Sequence, residues 1–154
     1  RQWGISDTFS GRGVVCMDYD RDGDVDIVVS NHEQRPVLYA NRHNDDASNN
    51  YLSITLRDST QNTRALGAKV HVTTGNTTQL QEVRAGGGFL SGAPSTLHFG
   101  LGDASQADTI TIEWPDKTGS VSTFHNIPAN QFLYIQADRG TIEQRSPSPP
   151  PQSQ

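Results

Sequence analysis

Three features of the sequence predict an all-β fold. Hydrophobic residues make up only 32% of 154 residues, and 14 glycines are spread through stretches rich in Thr, Ser, Asn and Asp. That composition suits many turns between short strands better than long helices. Apolar residues also alternate at Leu52/Ile54/Leu56, Val70/Val72, Ile110/Ile112/Trp114 and Leu133/Ile135, the period of strands with one buried face and one wet face. Finally, the length fits one ordinary domain, or a domain of about 100 residues with smaller appendages.

Composition also narrows the function. No apolar run approaches the roughly 20 residues that span a bilayer, and no basic region followed by an apolar one marks a leader. The chain starts at Arg1, as a processed protein or a fragment does. The single cysteine, Cys16, excludes an internal disulfide and argues against a cysteine-based zinc site. Within Val14-Val15-Cys16-Met17 it reads as a small buried hydrophobe. A net charge of -5 without a basic cluster sets nucleic acid aside.

Residues 1–13 are polar and turn-rich, with Trp3 and Phe9 as aromatic anchors. Strands are expected at 14–19, 25–31 and 36–41. Between the first two lie five aspartates at alternate positions in nine residues: Asp18, Asp20, Asp22, Asp24 and Asp26. The chain has 17 acidic and 12 basic residues, so without these five the balance is 12 against 12; the net charge is local to this loop. Carboxylates this close repel unless a hard cation cancels them, and oxygen ligands in this density suit Ca²⁺. Gly23 allows the sharp turn. An EF-hand needs flanking helices and Glu at the twelfth position, where this loop has Val29. A dockerin-type loop needs Asp or Asn there and a continuing helix, whereas Ile27-Val28-Val29 is β-branched and strand-like.

With Gly13-Val14-Val15 before it, and Asp26-Ile27-Val28-Val29 and Leu38-Tyr39-Ala40-Asn41 after it, the loop resembles an FG-GAP or VCBS-type repeat, the calcium-loop blade of integrin-like β-propellers. The resemblance implies that the side chains of Asp18, Asp20, Asp22 and Asp26, with the backbone carbonyl of Asp24, hold Ca²⁺, and that the ion braces a turn. A propeller needs about four to eight blades, and the sequence contains one such repeat. Residues 1–45 are therefore expected as a partial blade that belongs to a longer propeller, or docks on the next domain or a neighbouring subunit.

Residues 42–50 form a polar linker. Beyond it, strands are expected at 51–57, 68–74, 77–85, 96–99, 109–114, 121–125 and 132–137, about seven in all, which implies a β-sandwich over 46–140. The order Asn50-Tyr51-Leu52, Gly67-Ala68-Lys69-Val70, Glu82-Val83-Arg84, Gly86-Gly87-Gly88-Phe89-Leu90-Ser91, Leu97-His98-Phe99-Gly100-Leu101-Gly102 and Glu113-Trp114-Pro115-Asp116 resembles the ASPIC/UnbV domain. A domain of that family following FG-GAP-type repeats is similar to the cartilage acidic protein family. The resemblance implies an architecture and no particular reaction.

Gly86 to Gly88 suits a bulge or a close backbone approach, and lacks the spacing and context of a nucleotide loop. Gly100 and Gly102 are expected to permit a turn after the Phe99 strand. Pro115 ends a strand before a hairpin turn at Lys117-Thr118-Gly119. Asn76-Thr77-Thr78 satisfies the N-glycosylation rule at an expected hairpin tip, so Asn76 is a candidate glycan acceptor. Residues 141–154 hold four of the eight prolines and read as an extended, proline-rich tail.

An enzyme needs a convergent acid and base or nucleophile. His32, His43, His71, His98 and His125 are scattered, with no metal-binding spacing, and no G-x-S-x-G occurs. His98 is expected to make a structural hydrogen bond. Catalysis is not expected; a pocket joining a histidine to two carboxylates would revive it. The expected function is a calcium-stabilised extracellular or cell-surface structural or adhesive module. It would act through protein-protein contacts with other subunits, and could self-assemble into a fibre through the partial blade and the tail. The alternative is a carbohydrate-binding module, for which Trp3, Tyr39, Tyr51 and Trp114 would have to form a platform for glycans.

Overall fold

Alternating Val, Ile and Leu positions, punctuated by Gly, Asn and Asp, form eleven strands and no helix among the residues described by this computed structural model, namely 5, 8–42, 49–87, 91–137 and 142–145. β1 (Gly11–Met17), β2 (Asp26–Asn31) and β3 (Val37–Tyr39) form a three-stranded antiparallel sheet in that order. Its first ladder closes on the pair Met17 and Asp26. Residues 18–25 must therefore turn back between two strands.

Gly13 is buried and Val15 and Met17 are half-buried, whereas Val14 and Cys16 are exposed. The expectation of a buried Cys16 is thereby corrected. Alternation along β1, an edge strand, sets its side chain on the same face as the exposed Val14.

Eight further strands follow: β4 (Asn50–Arg57), β5 (Lys69–Thr74), β6 (Thr77–Glu82), β7 (Leu97–Gly102), β8 (Gln106–Glu113), β9 (Val121–Pro128), β10 (Gln131–Gln136) and β11 (Ile142–Arg145). They make two four-stranded sheets, ordered β11-β10-β4-β7 and β6-β5-β8-β9. Seven were expected. The eighth, β11, lies within the segment read as tail and pairs antiparallel with β10 through Ile135 and Ile142. Its four residues carry one apolar side chain, too little alternation to recognise. Residues 146–154 of the tail and 43–48 of the linker lie outside the described residues. Gly100, expected in a turn, pairs with Tyr51 inside the ladder, and only Gly102, at φ 58°, ends the strand.

Leu52, Ile54, Leu56, Phe99, Leu133 and Ile135 from one sheet meet Val70, Val72, Ile110 and Ile112 from the other in a single buried core. Each such side chain contributes about 1.5–3 kcal/mol on leaving water. The expected period of two is present on these inward faces. On β4, however, the intervening Tyr51, Ser53 and Thr55 are buried as well, at 9%, 4% and 7% exposure. The outer face of the β11-β10-β4-β7 sheet is therefore covered at its centre, where alternation alone had implied a wet surface.

Candidate metal centre

The aspartate loop is shaped by its own carboxylates. Gly23 donates its N–H to Asp18 Oδ2 at 3.2 Å, and Asp24 donates to Asp22 Oδ1 at 2.8 Å, a local turn typical of aspartate. Arg21 and Gly23 take left-handed conformations, at φ 65° and 97°. Asp26 closes the loop: Oδ2 accepts the N–H of Tyr19 at 3.0 Å and Oδ1 that of Asn41 at 2.8 Å.

One oxygen from each of Asp18, Asp20 and Asp22 lies within 4.8 Å of the other two. Ligands about 2.3–2.6 Å from a calcium ion sit at most about 5 Å apart, so the three oxygens fit one shell. Asp18 Oδ1 and Asp20 Oδ1 are buried and have no hydrogen-bond partner. A buried carboxylate oxygen left in this state costs free energy that a bound cation removes. Burial pushes the Asp18 carboxyl up to about 6, against hydrogen bonds from the Arg21 and Gly23 backbone and reinforced by the charges of Asp22 and Asp20. Burial likewise raises Asp22, with the charges of Asp20, Asp24 and Asp26 adding to it and the N–H of Asp24 opposing. The donor set is all oxygen and lacks a countercharge, which fits Ca²⁺.

Of the five aspartates singled out from sequence, the structure thus brings three together by their side chains. No carboxylate oxygen of Asp24 or Asp26 joins that triad at the same spacing. Both residues are buried, at 7% and 0% exposure, and Asp26 spends its carboxylate on the two backbone N–H groups.

The loop rests on a patch that sequence reasoning missed. A Cβ at Gly23 would land inside the ring of Tyr51. The Tyr51 ring stacks on His98, with centroids 5.6 Å apart and planes 10° apart, and meets Phe132 edge-on at 5.7 Å. Arg21 lies over Phe132 at 6.0 Å. The backbone of Tyr51 is held from both sides by Asn130, which donates its N–H to the Tyr51 carbonyl at 2.7 Å and accepts the Tyr51 N–H on Oδ1 at 3.1 Å. Three outward positions on neighbouring strands, 51, 98 and 132, were the available signal.

Beside the loop is a cleft of about 500 Å³ whose walls include Cys16, Asp18, Ser53, Gln81, His98 and Phe132. Glu82 also lines it, so a histidine shares this cleft with two carboxylates. No hydrogen bond or ion pair joins His98 to either, and Glu82 is held by Arg84 at 3.0 Å. The buried Nδ1 of His98, expected to make a structural hydrogen bond through its ring, has no partner among the described residues, and burial lowers the ring's affinity for a proton despite the charge of Asp24. The ring acts through stacking. Elsewhere His71 meets Glu113 at 3.0 Å, His125 meets Thr109 at 3.3 Å and His32 lies 3.8 Å from Glu33, while His43 falls outside the described residues.

Asn76 is exposed in the two-residue connection Gly75-Asn76 between β5 and β6. Gly75, at φ 54°, donates its N–H to Asp108 Oδ2 at 2.7 Å and fixes the turn. Of the four aromatics a sugar platform would use, Trp114 and Tyr51 are buried, Tyr39 is half-buried and Trp3 lies outside the described residues.

A family model described as ASPIC and UnbV matches residues 58–142. Cartilage acidic protein 1 of Mus musculus is 35% identical over 112 residues, which are 69% of this chain and 16% of that protein. Cartilage acidic protein 1 of Homo sapiens is 34% identical over 112 residues, with the same two shares. The chain spans 16% of the length of the curated relatives it matches.

Proposed function

The chain belongs to the ASPIC and UnbV family, and on that premise we propose that it is a calcium-stabilised structural or adhesive module of a larger extracellular protein. One observation carries the metal half of this reading: Asp18 and Asp20 each bury a carboxylate oxygen without a hydrogen-bond partner, in a cluster where one oxygen of each and one of Asp22 lie within 4.8 Å of one another. Similarity to proteins named for cartilage supports an extracellular setting. There calcium is millimolar, and a site with a dissociation constant of about 10⁻⁴ to 10⁻³ M would be about half to nine-tenths occupied. At tenfold saturation it adds about 1.4 kcal/mol of stability.

In this reading the three-stranded sheet is an incomplete FG-GAP or VCBS-type blade. Among the described residues no further strand pairs with its outer strands β1 and β3, and Val14, Tyr19 and Leu38 stand 54%, 47% and 43% exposed. Such edges and apolar side chains suit protein partners, including strands of the same protein or of other subunits. Asn76 is a glycan acceptor on the far hairpin.

The test has two arms. Calorimetry should detect one Ca²⁺ per chain, lost in Asp20→Ala, and size measurement at several concentrations should detect calcium-dependent association. Absence of calcium binding removes the reading. A monomer retained on a glycan array supports carbohydrate binding instead.

A further inference from the structure

On the outer face of the β11-β10-β4-β7 sheet, Tyr51 and Phe132 meet a loop from another sheet. No strand of the three-stranded sheet packs extensively against a strand of the sandwich. Among the described residues, the aspartate loop reaches across through Gly23 against Tyr51 and Arg21 over Phe132, and the Val14 N–H donates to Ser91 Oγ at 3.1 Å. We propose that the calcium loop is the latch between the two parts, with Tyr51 as the positioning residue on which it closes.

The chemistry follows from one geometry. One carboxylate oxygen from each of Asp18, Asp20 and Asp22 lies within 4.8 Å of the other two, and Gly23, in the same turn, meets the Tyr51 ring with no room for a side chain. Without a cation, three carboxylates repel and the turn opens. Opening the turn moves Gly23 off the ring. A bound cation would hold the three oxygens together, and with them the backbone of 18–23 in the conformation that sets Gly23 against the Tyr51 ring. The ring cannot follow the loop, because its backbone is held by Asn130 and its face by His98. Calcium occupancy is thereby read out as the orientation of residues 11–41 on the sandwich. The latch rests on the metal reading above but adds to it, since a calcium site that merely braced its own turn would leave the two parts unlinked.

The experiment measures binding and orientation separately on the full chain. Spin labels are placed at Leu38→Cys on β3 and Thr123→Cys on β9, both exposed, in a Cys16→Ser background. Their distance distribution is recorded with calcium and with chelator, while calorimetry follows binding. The latch predicts one narrow distance in calcium and a distribution at least twice as broad in chelator. Tyr51→Ala should bind calcium within about fivefold of the parent yet stay broad in both conditions, and Tyr51→Phe, which keeps the ring, should restore the narrow distance. Binding of calcium with no change in the distance distribution overturns the latch and leaves the metal site standing. Absence of binding overturns both. If Tyr51→Ala does not fold, the comparison of the parent with and without chelator still decides.

Discussion

The buried carboxylate of Asp26 accepts the N–H of Asn41 at 2.8 Å while its other oxygen accepts the N–H of Tyr19 at 3.0 Å. One side chain thus ties the start of the aspartate loop to the chain leaving β3. Asp26→Ala strands both donors next to a void, and a part-buried donor without a partner costs about 1–3 kcal/mol. The expected loss is about 2–4 kcal/mol in urea unfolding, present in chelator as well as in calcium. A loss confined to calcium solutions would mean that Asp26 serves the ion alone and that the two hydrogen bonds are immaterial.

Asp20 should behave in the opposite way. Its Oδ1 is buried without a partner among like charges, so removing it relieves repulsion in the metal-free protein. Asp20→Ala is expected to leave the melting temperature in chelator unchanged or higher. It should abolish the rise that calcium produces, with affinity down at least tenfold, or about 1.4 kcal/mol. Melting curves with and without calcium check both halves, and a drop in chelator would contradict them.

A third expectation concerns pH. Burial raises Asp18 from 3.8 to about 6 in the metal-free fold. Between those values the folded state binds more protons at Asp18 than the unfolded state, so the contribution of Asp18 to stability in chelator is full below about pH 4 and is lost as pH rises through about 6. Calcium needs the ionised carboxylate, so its affinity rises with pH up to about 6 and then levels, and binding near pH 5 releases a proton. Calorimetry in two buffers of different ionisation enthalpy counts that proton. In Asp18→Asn the pH-dependent decline in chelator should shrink to the part that the raised Asp22 carboxyl contributes.

Much of this was legible in the sequence, for identifiable reasons. Five aspartates at alternate positions, a glycine among them and Ile27-Val28-Val29 behind them specify a turn between strands through local chemistry, which residue order records directly. Leu52, Ile54 and Leu56 announced their inward face by the same logic. The covering of Tyr51 could not be read, because it depends on a loop brought from another sheet. The parallel pairing of β10 with β4, which sets Phe132 beside Ser53, is equally non-local. Cys16 was misread because an apolar run on an edge strand looks like one in a central strand until the missing neighbour is known.

Asn76 offers a test in cells. Its amide stands at the solvent-exposed tip of the β5-β6 hairpin, where an acceptor sequence is reachable without unfolding. Passed through a eukaryotic secretory route, the chain should migrate as a heavier species that an amidase cleaving N-glycans reduces, and Asn76→Gln should migrate at the lower position from the start. Identical migration of parent and variant would remove Asn76 as an acceptor.

At the other end of the sandwich, the Trp114 indole N–H donates to Ser122 Oγ at 2.9 Å across the β8-β9 pair. Trp114 is 5% exposed, so water does not readily replace that acceptor. Ser122→Ala leaves the indole N–H unsatisfied and should cost about 1–3 kcal/mol. Trp114→Phe removes the donor and opens space, at about 1–3 kcal/mol by volume. Since each variant breaks the same bond, the double variant should lose less than the two single losses added together, by about 0.5–1.5 kcal/mol. Urea unfolding of the four proteins closes the cycle. Strict additivity would mean that Trp114 contributes by packing alone and that its hydrogen bond to Ser122 adds nothing to the fold.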